Sequence, residues 1–359
     1  MFLIIVAFVS LIALLVIHEF GHFILAKKFG VKVEEFGIGY PPRIFGKKFK
    51  GTLFSINLVP FGAFVKIPGE IGKSDEEGSF SSKPIWQRAL IIVGGVVSFW
   101  IVSAILLSIV MIIGSPTAIG DNDSGPNLRD SKVQIIALAP RSPAEAGGIK
   151  IGDTIKKITS DGDQLNVNKV AEVQEFIDQH KGKEVSLTVQ RGKDFLNVSL
   201  VPRVSPPSGE GAMGVSLART AIKNYPWYQA PIQGILATGD LTLTILQGWQ
   251  EALGKIFQGK PSGAQLTGPI GIFSLFAQVG QLGINYFLQF IAIISVNLAL
   301  FNLLPIPSVD GGKLFFLLIE AVRKKAISEK FEQNITIVFF AMLILLMVFV
   351  TIQDIQRLF

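Results

Sequence analysis

The chain has 359 residues, 49% of them hydrophobic and only 17% charged, with a mean hydropathy of +0.50. This excludes an ordinary water-soluble protein and points to one that crosses a membrane several times. The absence of cysteine rules out disulfides and thiolate metal sites, and only His18, His22 and His180 are histidines. The net charge of +6 is spread along the chain and not gathered into a basic patch, so no nucleic-acid partner is expected.

The first predicted element is an apolar helix from Phe2 to Ala26, long enough to span a bilayer, with Lys27 and Lys28 as interfacial anchors. No basic residues precede its apolar core, so it reads as a span and not as a cleaved signal. Inside it lies His18-Glu19-Phe20-Gly21-His22. Ionisable side chains within a span are costly and mark functional sites. Two histidines four residues apart share one helix face, the spacing of a zinc pair, with a glutamate beside them.

The loop from Lys27 to Arg88 holds eleven Lys/Arg against six Asp/Glu, which the positive-inside rule places in the cytoplasm. Within it, LFSINLVPFGAFVKI (53–67) reads as two short strands around a bend at Pro60 and Gly62. It is too broken to span and too apolar for a solvent loop. A hairpin dipping into the membrane beside a protein-lined cavity is expected, because irregular backbone at that depth survives only there. Lys73–Gly78 reads as a charged loop.

Further spans are expected at 88–113, 284–304 and 334–352, giving four in all. The connection after the third carries Lys313, Arg323, Lys324, Lys325 and Lys330, again a cytoplasmic signature. Both termini and the region between the second and third spans then lie outside. That region contains a compact α+β domain: strands near 133–138, after Asp153, at 185–190 and at 195–201, a short helix from Ser142, and an amphipathic helix over 168–180. Residues 226–257, interrupted by Asp240, Glu251 and Lys255, are expected to lie on the outer leaflet as an amphipathic helix. The expected fold class is a polytopic α-helical membrane protein with four transmembrane helices, a membrane-associated β-hairpin and an inserted extracytoplasmic domain. Its parts are 1–114, 115–205, 206–283 and 284–359.

A catalytic zinc takes three protein ligands and keeps one position for water. With no cysteine and one remote histidine, the third ligand should be a carboxylate; Asp310, Glu320 and Asp354 lie in or beside the spans. Asp310 stands out, because Pro305 and Pro307 end the third helix and Gly311-Gly312 free the backbone that aims it. His180 reads as a solvated surface residue, Asp354 and Arg357 as membrane-border residues, and Glu320 as a neutraliser of the Arg323–Lys325 cluster. Asn297 reads equally as cleft lining or as a helix-to-helix hydrogen bond.

HEFGH together with NLLPIPSVDGG (302–312) resembles the site-2 protease family of intramembrane zinc metalloproteases, and within it the RseP-like bacterial branch. The likeness extends over nearly the whole chain, including SINLVPFGAFVK, KPIWQRALIIVGGVVSF, LTGPIGI (266–272) and SVNLALFNLLPIPSVDGG. VQIIALAPRSPAEAGGIKIGDTIKKI looks like the core of a bacterial PDZ domain. The resemblance implies His18, His22 and Asp310 as ligands of one zinc per chain, Glu19 as catalytic base, and Asn302 as a contact to substrate or oxyanion. Gly94 and Ser98 match a small-xxx-small element. Val309 stands where the family has leucine, and one PDZ module is found where better-known relatives carry two.

The implied activity is hydrolysis of peptide bonds in transmembrane segments, in the bacterial inner membrane, nearer its cytoplasmic side. Substrates of such relatives are single-pass membrane proteins already cut outside, such as anti-sigma factors or remnant signal peptides. A substrate helix must unwind, and its freed backbone groups then need partners. The 53–67 hairpin, through Ile56 and Val65, is suited to supply them by strand addition. The alternative from another class is a non-proteolytic PDZ-bearing membrane scaffold with a structural metal site. Glu19 discriminates, since a structural site gains nothing from an acid beside its ligands.

Overall fold

The computed structural model describes all residues except 1, 71, 73–75, 126–127, 260–266, 326 and 359, and the side chains of 357–358. Part of the charged loop expected at 73–78, and Leu266 of LTGPIGI, therefore lie outside the described residues. The chain forms two compact units. One comprises Met1–Leu107, Gly234–Ala277 and Phe290–Phe359; the other comprises Ser108–Gln233 and Gln278–Gln289.

In the first unit α1 (Phe2–Lys28) is followed by β1 (Glu35–Phe49) and β2 (Thr52–Lys66), then by α2 (Ile85–Ile113), which continues into the second unit. The two strands are long and bent, and they fold into more than the simple hairpin expected. Residues 43–49 pair with 52–57, while residues 35–38 lie between 53–56 on one side and 63–66 on the other. The result is a small four-rung sheet whose outer rung, 59–66, pairs on one side only among the described residues.

The second unit holds a seven-stranded antiparallel sheet with a single buried core. Its strands are β3 (Ser115–Ile119), β4 (Leu128–Leu138), β5 (Thr154–Ser160), β6 (Asp163–Asn166), β7 (Val185–Arg191), β8 (Asp194–Leu200) and β9 (Val215–Lys223). The order is β3-β9-β4-β5-β7-β8, with β6 paired to β5. Helices α3 (Pro143–Ala146) and α4 (Val170–Gln179) accompany it. Ser142 caps α3, accepting the Glu145 amide at 3.2 Å. The apolar face of α4, Val173, Phe176 and Ile177, joins the core formed by Val133, Ile155, Leu187 and Val189. The boundary expected at 205 cuts this sheet, because β9 pairs with both β4 and β3. His180 is buried, correcting its expected surface role: its ring stacks on Phe176, and its Nδ1 donates to the Phe176 carbonyl at 2.8 Å.

The remaining helices are α5 (Ala230–Phe257), α6 (Pro269–Leu282), α7 (Ile284–Leu303), α8 (Asp310–Arg323) and α9 (Glu329–Leu358). Among the described residues four helices are long and apolar enough to cross a membrane: Phe2–Lys28, Ile85–Ile113, Ile284–Leu303 and Glu329–Gln356. Along α5, Thr238 bonds Ser103 of α2 at 3.5 Å, and Trp100 of α2 donates to Thr242 at 3.2 Å. Over this turn α5 runs antiparallel to α2. Asp354, expected at the membrane border, is buried and accepts the Gly271 amide at 2.7 Å near the start of α6.

Candidate metal centre

The 3.6-residue period of α1 puts His18 and His22 on one face, both turned into the protein. A close crossing brings α2 against this face. A Cβ on Gly21 would overlap the Gly94 carbonyl oxygen, and one on Gly95 would overlap the His22 ring. Glycine at these places lets the two backbones meet and leaves room for the imidazole. His22 Nδ1 donates to the Ile91 carbonyl of α2 at 2.9 Å, which fixes the ring and turns Nε2 inward. The His18 ring stacks on Phe99, with centroids 4.6 Å apart. Phe99 is itself held through its carbonyl, which accepts from Ser295 of α7 at 2.8 Å.

The third member arrives from the break between α7 and α8. Pro305 and Pro307 end α7, and Asp310 opens α8. Gly311 and Gly312 act here by lacking side chains: Cβ atoms on them would overlap the carbonyl oxygens of Leu304 and Ile306. The reversal is thus tight enough to aim Asp310 back at α1. Its Oδ2 is buried without a hydrogen bond, 3.2 Å from His18 Nε2 and 3.3 Å from His22 Nε2. The two Nε2 atoms are 3.3 Å apart.

Three lone-pair atoms with no proton obliged to lie between them thus form a near-equilateral triangle. Ligand bonds of about 2.0–2.1 Å in tetrahedral zinc place donor atoms about 3.3 Å from one another. The set of two imidazoles and one carboxylate, of which His22 and Asp310 border a cavity, therefore fits zinc. His18, His22 and Asp310 are the one such group among the described residues.

A cavity of about 200 Å³ adjoins the triangle, and Glu19, His22, Asp310, Tyr40, Val65 and Lys313 contribute to its wall. Lys313 lies one turn after Asp310 and donates to Glu70 Oε1 at 2.6 Å. Burial works against its charge, but Glu70 and Asp310 outweigh it and raise the Lys313 pKa above the ordinary lysine value. Sequence reasoning missed Lys313, Glu70 and Phe99. The i+3 relation of Lys313 to Asp310 is a legible signal, whereas the other two have none at short range.

Not every expected site residue reaches the cavity. Asn302 does not line it, and its side-chain amide donates to Leu298 within α7 at 2.9 Å. Asn297 likewise bonds Ile293 within its own helix. Ile56 is paired on both sides, to Ile38 and Phe45, so it has no free edge for an added strand, contrary to expectation. Val65, on the outer rung, has one. Glu320 pairs with Arg88 at 2.9 Å instead of neutralising the Arg323–Lys325 cluster.

These features define a metallopeptidase-type centre carried on apolar helices. A family model for peptidase family M50 matches residues 6–346, and the chain belongs to that family. It is a zinc metallopeptidase of the site-2 protease type. A chain from Clostridium perfringens provisionally named a zinc metalloprotease is 34% identical over 98% of both proteins. The regulator of sigma-W protease RasP of Bacillus subtilis is 28% identical over 99% of both. Among solved structures, the PDZ domain of an SdrC-like protein from Listeria monocytogenes is similar to 26% of this chain and 92% of its own, at 20% identity and a TM-score of 0.21.

Proposed function

We propose that the chain hydrolyses peptide bonds within membrane-spanning segments of other proteins, with His18, His22 and Asp310 holding one zinc and Glu19 acting as catalytic base. The observation that carries this reading is the donor triangle opening into a cavity that Glu19 also lines. When bound, zinc supplies Lewis acidity towards a carbonyl oxygen and lowers the pKa of a water. Glu19 then takes the proton of the attacking water and passes it to the leaving amine nitrogen. As a neighbour of His18 and not a member of the triangle, its carboxylate stays free for this transfer.

The basic loops after α1 and after α7 are assigned to the cytoplasmic side, and the sheet-bearing unit, PDZ-like in sequence, to the other. With a rise of 1.5 Å per residue, His18 and His22 then sit roughly 7–14 Å in from Lys27, inside the membrane. The outer rung 59–66 has a free strand edge and contributes Val65 to the cavity wall. An unwound substrate segment pairing there has its backbone satisfied beside the metal. The proposed substrate class is single-pass membrane proteins trimmed by an earlier cut outside the membrane, a reading supported by the likeness to the regulator of sigma-W protease RasP.

The test uses purified chain in lipid nanodiscs with a single-pass reporter whose transmembrane segment is weakened by glycine. Native protein should contain one zinc per chain and cleave the reporter, and 1,10-phenanthroline should stop cleavage. Glu19→Gln should keep the zinc and lose at least about a hundredfold in rate. Equal cleavage by native and Glu19→Gln protein would remove the reading.

A further inference from the structure

We infer that Glu70 and Lys313 form a positioning pair that sets the outer strand rung 59–66 against the metal-bearing end of α8. This rests on the peptidase reading above. Lys313 follows Asp310 by three residues and so shares its face of α8. Glu70 follows the last strand residue, Lys66, by four, in a connection tightened by the Glu70 amide bonding the Ile67 carbonyl at 3.3 Å and the Phe80 amide bonding the Pro68 carbonyl at 2.8 Å. Any displacement of Glu70 is therefore passed to Val65 and its neighbours.

A second ion pair, Arg88–Glu320, joins the first turn of α2 to the same face of α8, seven residues after Lys313. Leu317, between the two pairs, is buried with Ile67 and Phe80. Both pairs thus tie α8 down, but they differ in place. Glu70 and Lys313 line the metal cavity, whereas Arg88 and Glu320 line only a neighbouring cavity of about 360 Å³. The Glu70–Lys313 pair is the one that registers strand against metal. The pair positions the strand edge proposed to receive the substrate and bonds neither the metal-ligand triangle nor Glu19, so its loss weakens substrate binding, whereas one partly exposed ion pair contributes little to stability.

The test is kinetic, on zinc-loaded full-length protein in nanodiscs with the same glycine-weakened reporter. Glu70→Gln and Lys313→Met should each raise KM about tenfold with kcat within about twofold, at unchanged zinc content. The double variant should be no worse than either single one, and Lys313→Arg should recover most of the loss. Arg88→Met should lower Tm but leave KM alone. If Lys313→Met does not fold, Glu70→Gln carries the same test, because it leaves the lysine in place. The inference falls if KM is unmoved, if the two single effects add, or if Arg88→Met raises KM equally. Reporter affinity measured in the Glu19→Gln background separates the two ideas. Absent cleavage by native protein with affinity still dependent on Glu70 would sink the peptidase reading alone, and affinity indifferent to Glu70 would sink the positioning pair.

Discussion

The ring of His18 lies flat against that of Phe99, with centroids 4.6 Å apart and planes 13° apart. Phe99 is fully buried, so it presents a fixed wall that restricts the imidazole to one orientation. Groups that orient a ligand without touching the metal typically contribute tenfold to a hundredfold in affinity. Phe99→Ala should weaken zinc binding by about that factor, measured by competition with a chromophoric chelator. Unchanged affinity would show that the stack is only packing.

The Gly21–Gly94 crossing makes a second prediction. Backbone cannot move aside as a side chain can, so Gly21→Ala must push α1 from α2 and carry His22 away from the Ile91 carbonyl. Loss of zinc together with a marked fall in Tm is expected. Gly239→Ala is the matched control: nothing lies near its Cβ, and alanine in a helix is favoured by about 1 kcal/mol. It should keep zinc and raise Tm slightly.

In the sheet-bearing unit, Arg191 Nε and Nη2 donate to the two oxygens of Asp153 at 2.8 and 2.7 Å. Asp153 is only 1% exposed and also accepts the Lys150 amide. Arg191→Met leaves a buried carboxylate without its countercharge, at a cost of about 3 kcal/mol. Limited proteolysis should show this unit opening first, with zinc content unaltered; a variant as resistant as native protein would contradict the estimate.

Asp121 lies far from α4 in sequence but accepts the Val170 and Ala171 amides at its N-terminus, both at 2.9 Å. Burial alone would push its carboxyl up; the Ala171 and Val170 donors overcome this and hold it below the usual carboxylate range. Because the folded pKa is the lower one, the stabilisation is complete above the unfolded value of about 3.9 and is lost as pH falls through the folded value. Hydrogen exchange at Val170 and Ala171 should therefore be pH-independent, after correction for intrinsic rates, from neutrality to about pH 4, and should lose protection below. Asp121→Asn should remove that transition.

Much of this molecule is legible locally. The expected spans agree with α1, α2, α7 and α9 to within a few residues, because apolar length alone makes a span. The strands at 133–138, 185–190 and 195–201 and the helix near 168–180 follow from alternation and helical period. β9 was not legible: VSLARTAIK has its partners at Ser115–Ile119 and Leu128–Leu138, roughly a hundred residues earlier, and nothing nearby signals them. The burial of Asp354 was hidden for the same reason, since the Gly271 amide it accepts lies 83 residues earlier in the chain.

The sequence by itself determined the chemistry: two histidines at one helical spacing, an acid beside them, no cysteine, and a Pro- and Gly-framed aspartate. Only the tertiary structure decided their registration: donor atoms 3.2–3.3 Å apart, a carbonyl of Ile91 orienting one ring, Phe99 backing the other, and a strand edge tied to α8 through Glu70 and Lys313. The reason is physical. Residue type and helical period are local properties of the chain, whereas distances between helices are set by which glycines let backbones meet and by contacts spanning more than two hundred residues.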